Sequence, residues 1–426
     1  MKKASTLEEV YEVFDHTRYL TEKEHEFYVD IYHNDLLKFA TALKINKDNK
    51  KLFLIAGQSG NGKSSVLHNI KVSFPDKLAD IEFHFIDGRD VFIYEDVDII
   101  DILLMIGYRL IKDNETLKNK FLTKLEEIED VNEGIKTIET INETSSNTDT
   151  KAKASISLKA SLLSLFKSGI DFESAYKIQD EDRKRVRQLF KIRKSDLIEL
   201  INYIIKQYKI EFKNDKKLII VIDDLEKKSG IDDIFINSEN LYFLKSIDII
   251  KIITMPIYLK RENFLADVDV REFSLALKNR KKNKKEESYT LLNKVIDKRL
   301  EKKELITKEA KDMAVEFSGG NLRQLIRLIN SAALEAITYE ASKITAHEIK
   351  KAIDDIKREL SALAMPRLKF LEYIRDKHIL DIEDEKHYQL LKESTKNGLV
   401  FAYFNGITWY DINPIVESII NEYKNF

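Results

Sequence analysis

Eight residues, Gly57-Gln58-Ser59-Gly60-Asn61-Gly62-Lys63-Ser64, have the types and spacing that bind phosphate. They fit G-x-x-x-x-G-K-[ST], a loop whose glycines let the backbone curl so that successive N–H groups point inward at phosphate oxygens. The positive end of the following helix adds to that attraction. In such a loop Lys63 reaches the β- and γ-phosphates of a nucleotide and Ser64 ligates Mg²⁺. Ser65 joins the loop as a nucleotide-binding candidate. The plain alternative is a glycine turn at a helix start. Against it stands the context: Leu52–Ala56 is an apolar run of strand length before the loop, and Ser65–Ile70 reads as a helix after it.

A second stretch, Lys217-Leu218-Ile219-Ile220-Val221-Ile222-Asp223-Asp224-Leu225-Glu226, supplies carboxylates. A β-branched, fully apolar run ending in paired acids reads as a buried parallel strand. Its C-terminal end lies where ligands bind in open α/β sheets. Asp223 stands where a carboxylate holds Mg²⁺, directly or through water. Asp224 stands where a carboxylate orients an attacking water, and Glu226 is the second candidate for that task. The strand Ile249–Ile253 ends at Thr254, whose side chain at the tip stands near a γ-phosphate. In Ser318-Gly319-Gly320-Asn321-Leu322-Arg323 the glycines end one helix and Asn321 starts the next. That leaves Arg323 in a first helical turn, free to swing toward a phosphate at a domain cleft, or else a simple surface arginine.

The elements that must position these residues emerge along the chain. At 426 residues and 43% hydrophobic, the chain can bury a sizeable core and is long enough for two or three domains. A net charge of −2 gives the whole molecule no drive toward nucleic acid. The lack of cysteine removes disulfides, thiolate metal sites and cysteine nucleophiles, and fits a reducing cytoplasm. The opening Met1–Glu9 turns polar at once and has no signal-peptide core, and no uncharged run approaches the roughly 20 residues of a membrane helix. Four prolines and twelve glycines in so long a chain predict a helix-rich structure.

Helical spacing over Asp35–Leu43 leads into the first strand, and Tyr28 and Tyr32 there either stack on a base or belong to the core. Ile81–Asp87 alternates as a strand, and Val97–Gly107 fits a helix. From Asn114 to Lys213 the sequence reads as helices broken by the polar tract Asn142–Lys151; the apolar Ser157–Phe166 is either a buried helix, the favoured reading, or a partner-facing one. The basic run Arg183–Lys194 is either a solvated helix face or a phosphate contact. Val270–Leu275 is a further strand, and Lys278–Lys285 a basic loop between domains. Helices follow around Tyr289–Leu300, Lys308–Phe317 and Leu322–Tyr339. From about Pro366 come two helices, a hairpin over Leu399–Tyr410 with Asn405-Gly406 at its turn, and a closing helix Ile415–Tyr423.

The order of these parts resembles the AAA+ ATPases, and the lid and tail are most similar to the origin-recognition-type branch and to STAND and KAP-like NTPases of prokaryotes. The resemblance spans about residues 15–355. It implies an α/β P-loop core at 1–280 with a helical insert at about 110–213, a helical lid at 281–360 and a winged-helix-like domain at 361–426. By the same resemblance Lys63 and Ser64 belong to Walker A, Asp223 and Asp224 to Walker B, Thr254 is sensor 1 and Arg323 is sensor 2, with ATP as the nucleotide. Three departures stand out. Walker B ends Asp-Asp rather than Asp-Glu, which implies slow hydrolysis. The insert is far longer than in a minimal module. No arginine lies between Asp224 and Thr254, so Arg261, Arg271 or a partner must supply an arginine finger. The function expected is a Mg²⁺-ATP switch controlling an effector chain or a homo-oligomer, as in prokaryotic anti-phage defence. Alternatives are a DNA-binding ATPase of origins or mobile elements, in which the winged helix contacts DNA, and a nucleotide sensor with little turnover.

Overall fold

The computed structural model describes the chain apart from residues 93–96, 126, 128–179, 214, 227, 262–267, 279–282, 379–383, 405–407 and 424–426. The polar tract at 142–151 and the apolar patch at 157–166 therefore lie outside the described residues. So do the hairpin turn at 405–407 and the middle of the basic loop at 278–285.

Five strands, β1 (Leu52–Ala56), β2 (Ile81–Asp87), β3 (Lys217–Asp223), β4 (Ile250–Met255) and β5 (Asp269–Glu272), form one parallel sheet in the order β2-β3-β4-β1-β5. Their sequences explain why. β1 and β4 are buried at every position, as an all-parallel sheet with both faces covered requires. Alternate residues divide between two cores. Leu54, Ile220, Ile222 and Ile253 face the helices Ile99–Ile111 and Lys194–Glu211. Phe53, Ile55, Ile219 and Ile252 face the lead-in helix His33–Ile45, the loop helix Lys63–Ser73 and the lid. The fold class expected from the sequence, an α/β P-loop core with a helical lid, is the one observed.

The lid comprises Glu286–Asp297, Lys308–Ser318, Leu322–Thr338 and a fourth helix, Ala346–Ala364, that the three-helix expectation did not include. Asn321 caps Leu322–Thr338 by accepting from the Gln324 N–H, after Gly319 and Gly320 turn the chain in the left-handed region. The tail folds as helices Leu368–Lys377 and Glu385–Lys396, the antiparallel pair β6 (Val400–Phe404) and β7 (Thr408–Ile412), and helix Pro414–Tyr423. Of the insert, Asp180–Ile192 and Lys194–Glu211 are described. Arg183 and Arg187 of the basic run are buried, and the Arg187 Nε donates to Asp101 Oδ1 at 2.8 Å. Buried as they are, these two arginines are neither a solvated face nor a free phosphate contact, and Arg187 neutralises Asp101, itself buried where it completes the cap of Ile99–Ile111.

Candidate phosphate-binding site

The strand order fixes the site. The loop leaves β1, and β4 separates β1 from β3, so Thr254 on β4 stands between the loop and Asp223. Gly60 and Gly62 take φ of 90° and 82°, and Gly62 caps the loop helix. Left-handed backbone there suits glycine alone, and side chains at either position would strike the lid.

Each loop residue has a separate partner. The Lys63 ammonium is buried and donates to the carbonyls of Gly57 (2.8 Å) and Gln58 (3.0 Å). It also pairs with Glu226 at 2.8 Å. The Gln58 side-chain amide donates to Val400 O and accepts from Ala402 N–H, both at 3.0 Å, and so behaves as one more strand residue beside β6. Ser59 Oγ accepts from Arg323 Nη1 at 2.8 Å, and its carbonyl accepts from Asn321 Nδ2 at 2.8 Å. Gly60 O accepts from the Arg323 N–H at 3.0 Å. Asn61 O accepts from the Tyr32 hydroxyl at 2.8 Å. Ser64 gives its hydroxyl to Asp223, and Ser65 Oγ accepts from Leu20 N–H at 3.0 Å. Tyr32, offered as a base-stacking ring, holds the loop backbone and packs on Phe273 instead.

The carboxylates are close but differently employed. Asp223, at the end of β3, is buried. Burial raises its pKa first, and the nearby Glu226 charge adds to the rise. A divalent cation beside Asp223 and Ser64 would return that carboxyl to its charged form, so the pair fits Mg²⁺. Among the described residues no group of three or more His, Cys, Asp or Glu is placed to hold a metal ion, so phosphate oxygens and water must complete such a site. Asp224 has φ 56°, a left-handed turn that aspartate tolerates. Its N–H donates to Asp223 Oδ1, and its carboxylate lies 3.8 Å from the Arg89 guanidinium. Arg89 itself is bonded to Asp87 at the end of β2. Glu226 meets Lys63 directly. Thr254 is fully buried inside β4 rather than at a tip, because the strand runs on to Met255; its hydroxyl accepts from Leu225 N–H at 3.4 Å. Arg323 is brought to the loop.

Gly60, Gly62, Lys63–Val66, Asp224 and Glu226 line one cleft together with Leu322 and Ile326 of the lid and with Tyr28 and Val29. Gln58 and Glu226 were the partners hardest to foresee, since the ends of the Gln58 contact lie 342 residues apart.

No known family model and no curated protein matches the chain. Solved structures similar to it include Cdc6p from Pyrobaculum aerophilum, 13% identical with a TM-score of 0.43 over 97% of this chain and 98% of that one. Drosophila ORC, solved bound to DNA, is 10% identical with a TM-score of 0.43 over 98% and 93%. The Thermotoga maritima RuvB Holliday junction branch migration motor is 10% identical with a TM-score of 0.38 over 92% and 94%.

Proposed function

We propose that this chain is a Mg²⁺-dependent ATPase that works as a conformational switch. The observation that carries the reading is the clamp on the phosphate loop: Asn321 and Arg323 of the lid bond Ser59 and Gly60, so whatever occupies the loop is felt by the lid. Adenine as the base and use in anti-phage defence rest on the sequence resemblance alone.

The loop N–H groups and Lys63 bind the phosphates. Lys63 must exchange Glu226 for phosphate oxygen, which frees the Glu226 carboxylate beside the reacting group. Ser64 and Asp223 hold the metal, which when bound neutralises charge developing on the phosphoryl oxygens. Asp224 and Glu226 are the carboxylates placed to orient water. Charge stabilisation and positioning provide most of the rate in such chemistry. Output passes to a protein partner or a second copy of the chain. DNA is the weaker reading, since Arg183 and Arg187 are engaged inside the fold and β6 faces the loop.

The test is turnover with and without Mg²⁺ in wild type and two variants. Asp224→Ala is expected to bind ATP yet hydrolyse it at least about tenfold more slowly, the order expected for loss of a positioned catalytic group. Glu226→Gln should bind ATP more tightly than wild type, because the anion competing for Lys63 is gone. Unchanged turnover in Asp224→Ala with loss in Glu226→Gln would assign the water to Glu226. A wild-type protein that binds no nucleotide would defeat the reading altogether.

A further inference from the structure

A third cation, besides Lys63 and the lid's Arg323, is still to be assigned at the terminal phosphate. Arg271 does not fill that role, because it is tied to Asp269 on its own edge strand, with Nε at 2.6 Å and Nη2 at 3.0 Å from the carboxylate. We infer that Lys396, from the C-terminal helix–hairpin module, is that cation and reads the terminal phosphate of a nucleoside triphosphate bound at the loop. The inference rests on the nucleotide reading just proposed and deepens it.

Lys396 is the last residue of Glu385–Lys396 and lines two adjoining cavities. One is bounded by Gly57, Gln58, Ser59, Glu226 and Pro256. These are the first residues of the phosphate loop, the carboxylate that holds Lys63, and the exit of β4. Glu226 also walls the nucleotide cleft, so the two spaces meet at the side chain that ATP must displace from Lys63. The other cavity shares Gln58 and Ser59 and adds Arg323.

The charge of Lys396 is not taken up elsewhere among the described residues. Asp232, an acid that acts on Lys396, is held by Lys392 and accepts from the Tyr258 hydroxyl at 2.7 Å. Lys396 instead lies 5.7 Å from the centre of the Tyr258 ring. Half-buried, its ammonium is pushed to a lower pKa by desolvation first, with Asp232 opposing and Lys392 adding to the fall. A cation drawn from water without a hydrogen-bonded acid is unfavourable, and an anion at the loop relieves it.

The module is also held in register with the loop. Gln58 extends the ladder of β6 through Val400 and Ala402. Asn413 and Gln324 exchange amide hydrogen bonds of 2.8 and 3.0 Å between module and lid. Only three residues separate Lys396 from β6, so a module aligned by Gln58 brings Lys396 with it.

The experiment titrates the full chain with Mg²⁺ and either a non-hydrolysable ATP analogue or ADP, by calorimetry. Wild type should favour the analogue. Lys396→Gln should weaken the analogue about tenfold, the scale of one charge-assisted hydrogen bond, while ADP affinity stays within about twofold. Lys396→Arg should keep the preference. An unchanged analogue-to-ADP ratio in Lys396→Gln overturns the inference. An equal fall in Lys396→Arg also overturns it, assigning the effect to seating of the module. Failure of wild type to bind either nucleotide would instead sink the nucleotide reading, so the two failures are distinct.

Discussion

Lys63→Ala is expected to lose nucleotide binding outright and to lose stability with it. Lys63 is the only cationic side chain in the loop, and no neighbour can take its place among the inward N–H groups. The structure adds the second effect. Lys63 and Glu226 have side chains only 3% and 9% exposed and lie 2.8 Å apart. Removing the lysine leaves a buried carboxylate with its cation gone and two loop carbonyls without their donor. Breaking a buried pair from one side costs about 3–5 kcal/mol. The double variant Lys63→Ala with Glu226→Gln should recover much of the stability, because the stranded charge is gone, and none of the binding. Denaturant melts and calorimetric ATP titrations separate the two effects. Tight ATP binding by Lys63→Ala would remove the site assignment.

Gly320→Ala is the second large effect expected. Gly320 has φ 91°, and a Cβ built on it would come 2.1 Å from the carbonyl oxygen of Leu275. That neighbour is backbone, so the lid entry itself must shift. The strain of a left-handed alanine and the overlap together should cost about 2–5 kcal/mol. The shift would also lift Asn321 and Arg323 from Ser59 and Gly60, so nucleotide affinity should fall with stability. Gly398 is the internal control: it has φ 69° but nothing within 4 Å of its Cβ position. Gly398→Ala should therefore cost only the backbone term, about 1–2 kcal/mol. Equal losses in the two variants, read from urea midpoints, would show that lid packing at Gly320 does not matter.

These contrasts show where the sequence was legible. The loop, β1, β2 and β3 could be read because their signals are local: glycines at left-handed positions, alternation in Ile81–Asp87, an unbroken apolar run before Asp223. The lid entry was equally plain, since two glycines and a capping asparagine act within one turn. What was not legible depends on contacts far apart in sequence. Nothing near Gln58 announces that its amide pairs with β6, and nothing near Glu226 announces Lys63. Arg187 looked like part of a basic face because periodicity cannot reveal Asp101 waiting on another helix. Thr254 was read as a strand tip because Pro256 suggests an early stop, yet the ladder to β1 continues through Met255.

The central claim is that the lid feels the phosphates. Arg323 now donates to a neutral hydroxyl on Ser59. A phosphate oxygen would offer it a charged acceptor, and such bonds are roughly twice as strong. ATP therefore has a differential affinity for the state with Arg323 engaged, which is the only way a ligand shifts a conformational equilibrium. The most direct measurement is small-angle scattering with size-exclusion light scattering on wild type and Arg323→Ala, each saturated with ATP analogue or with ADP. The account predicts that wild type differs in radius of gyration or mass between the two nucleotides, and that Arg323→Ala binds both but shows one form. Identical shape and mass for wild type in both nucleotides would contradict it and leave a passive nucleotide-binding protein.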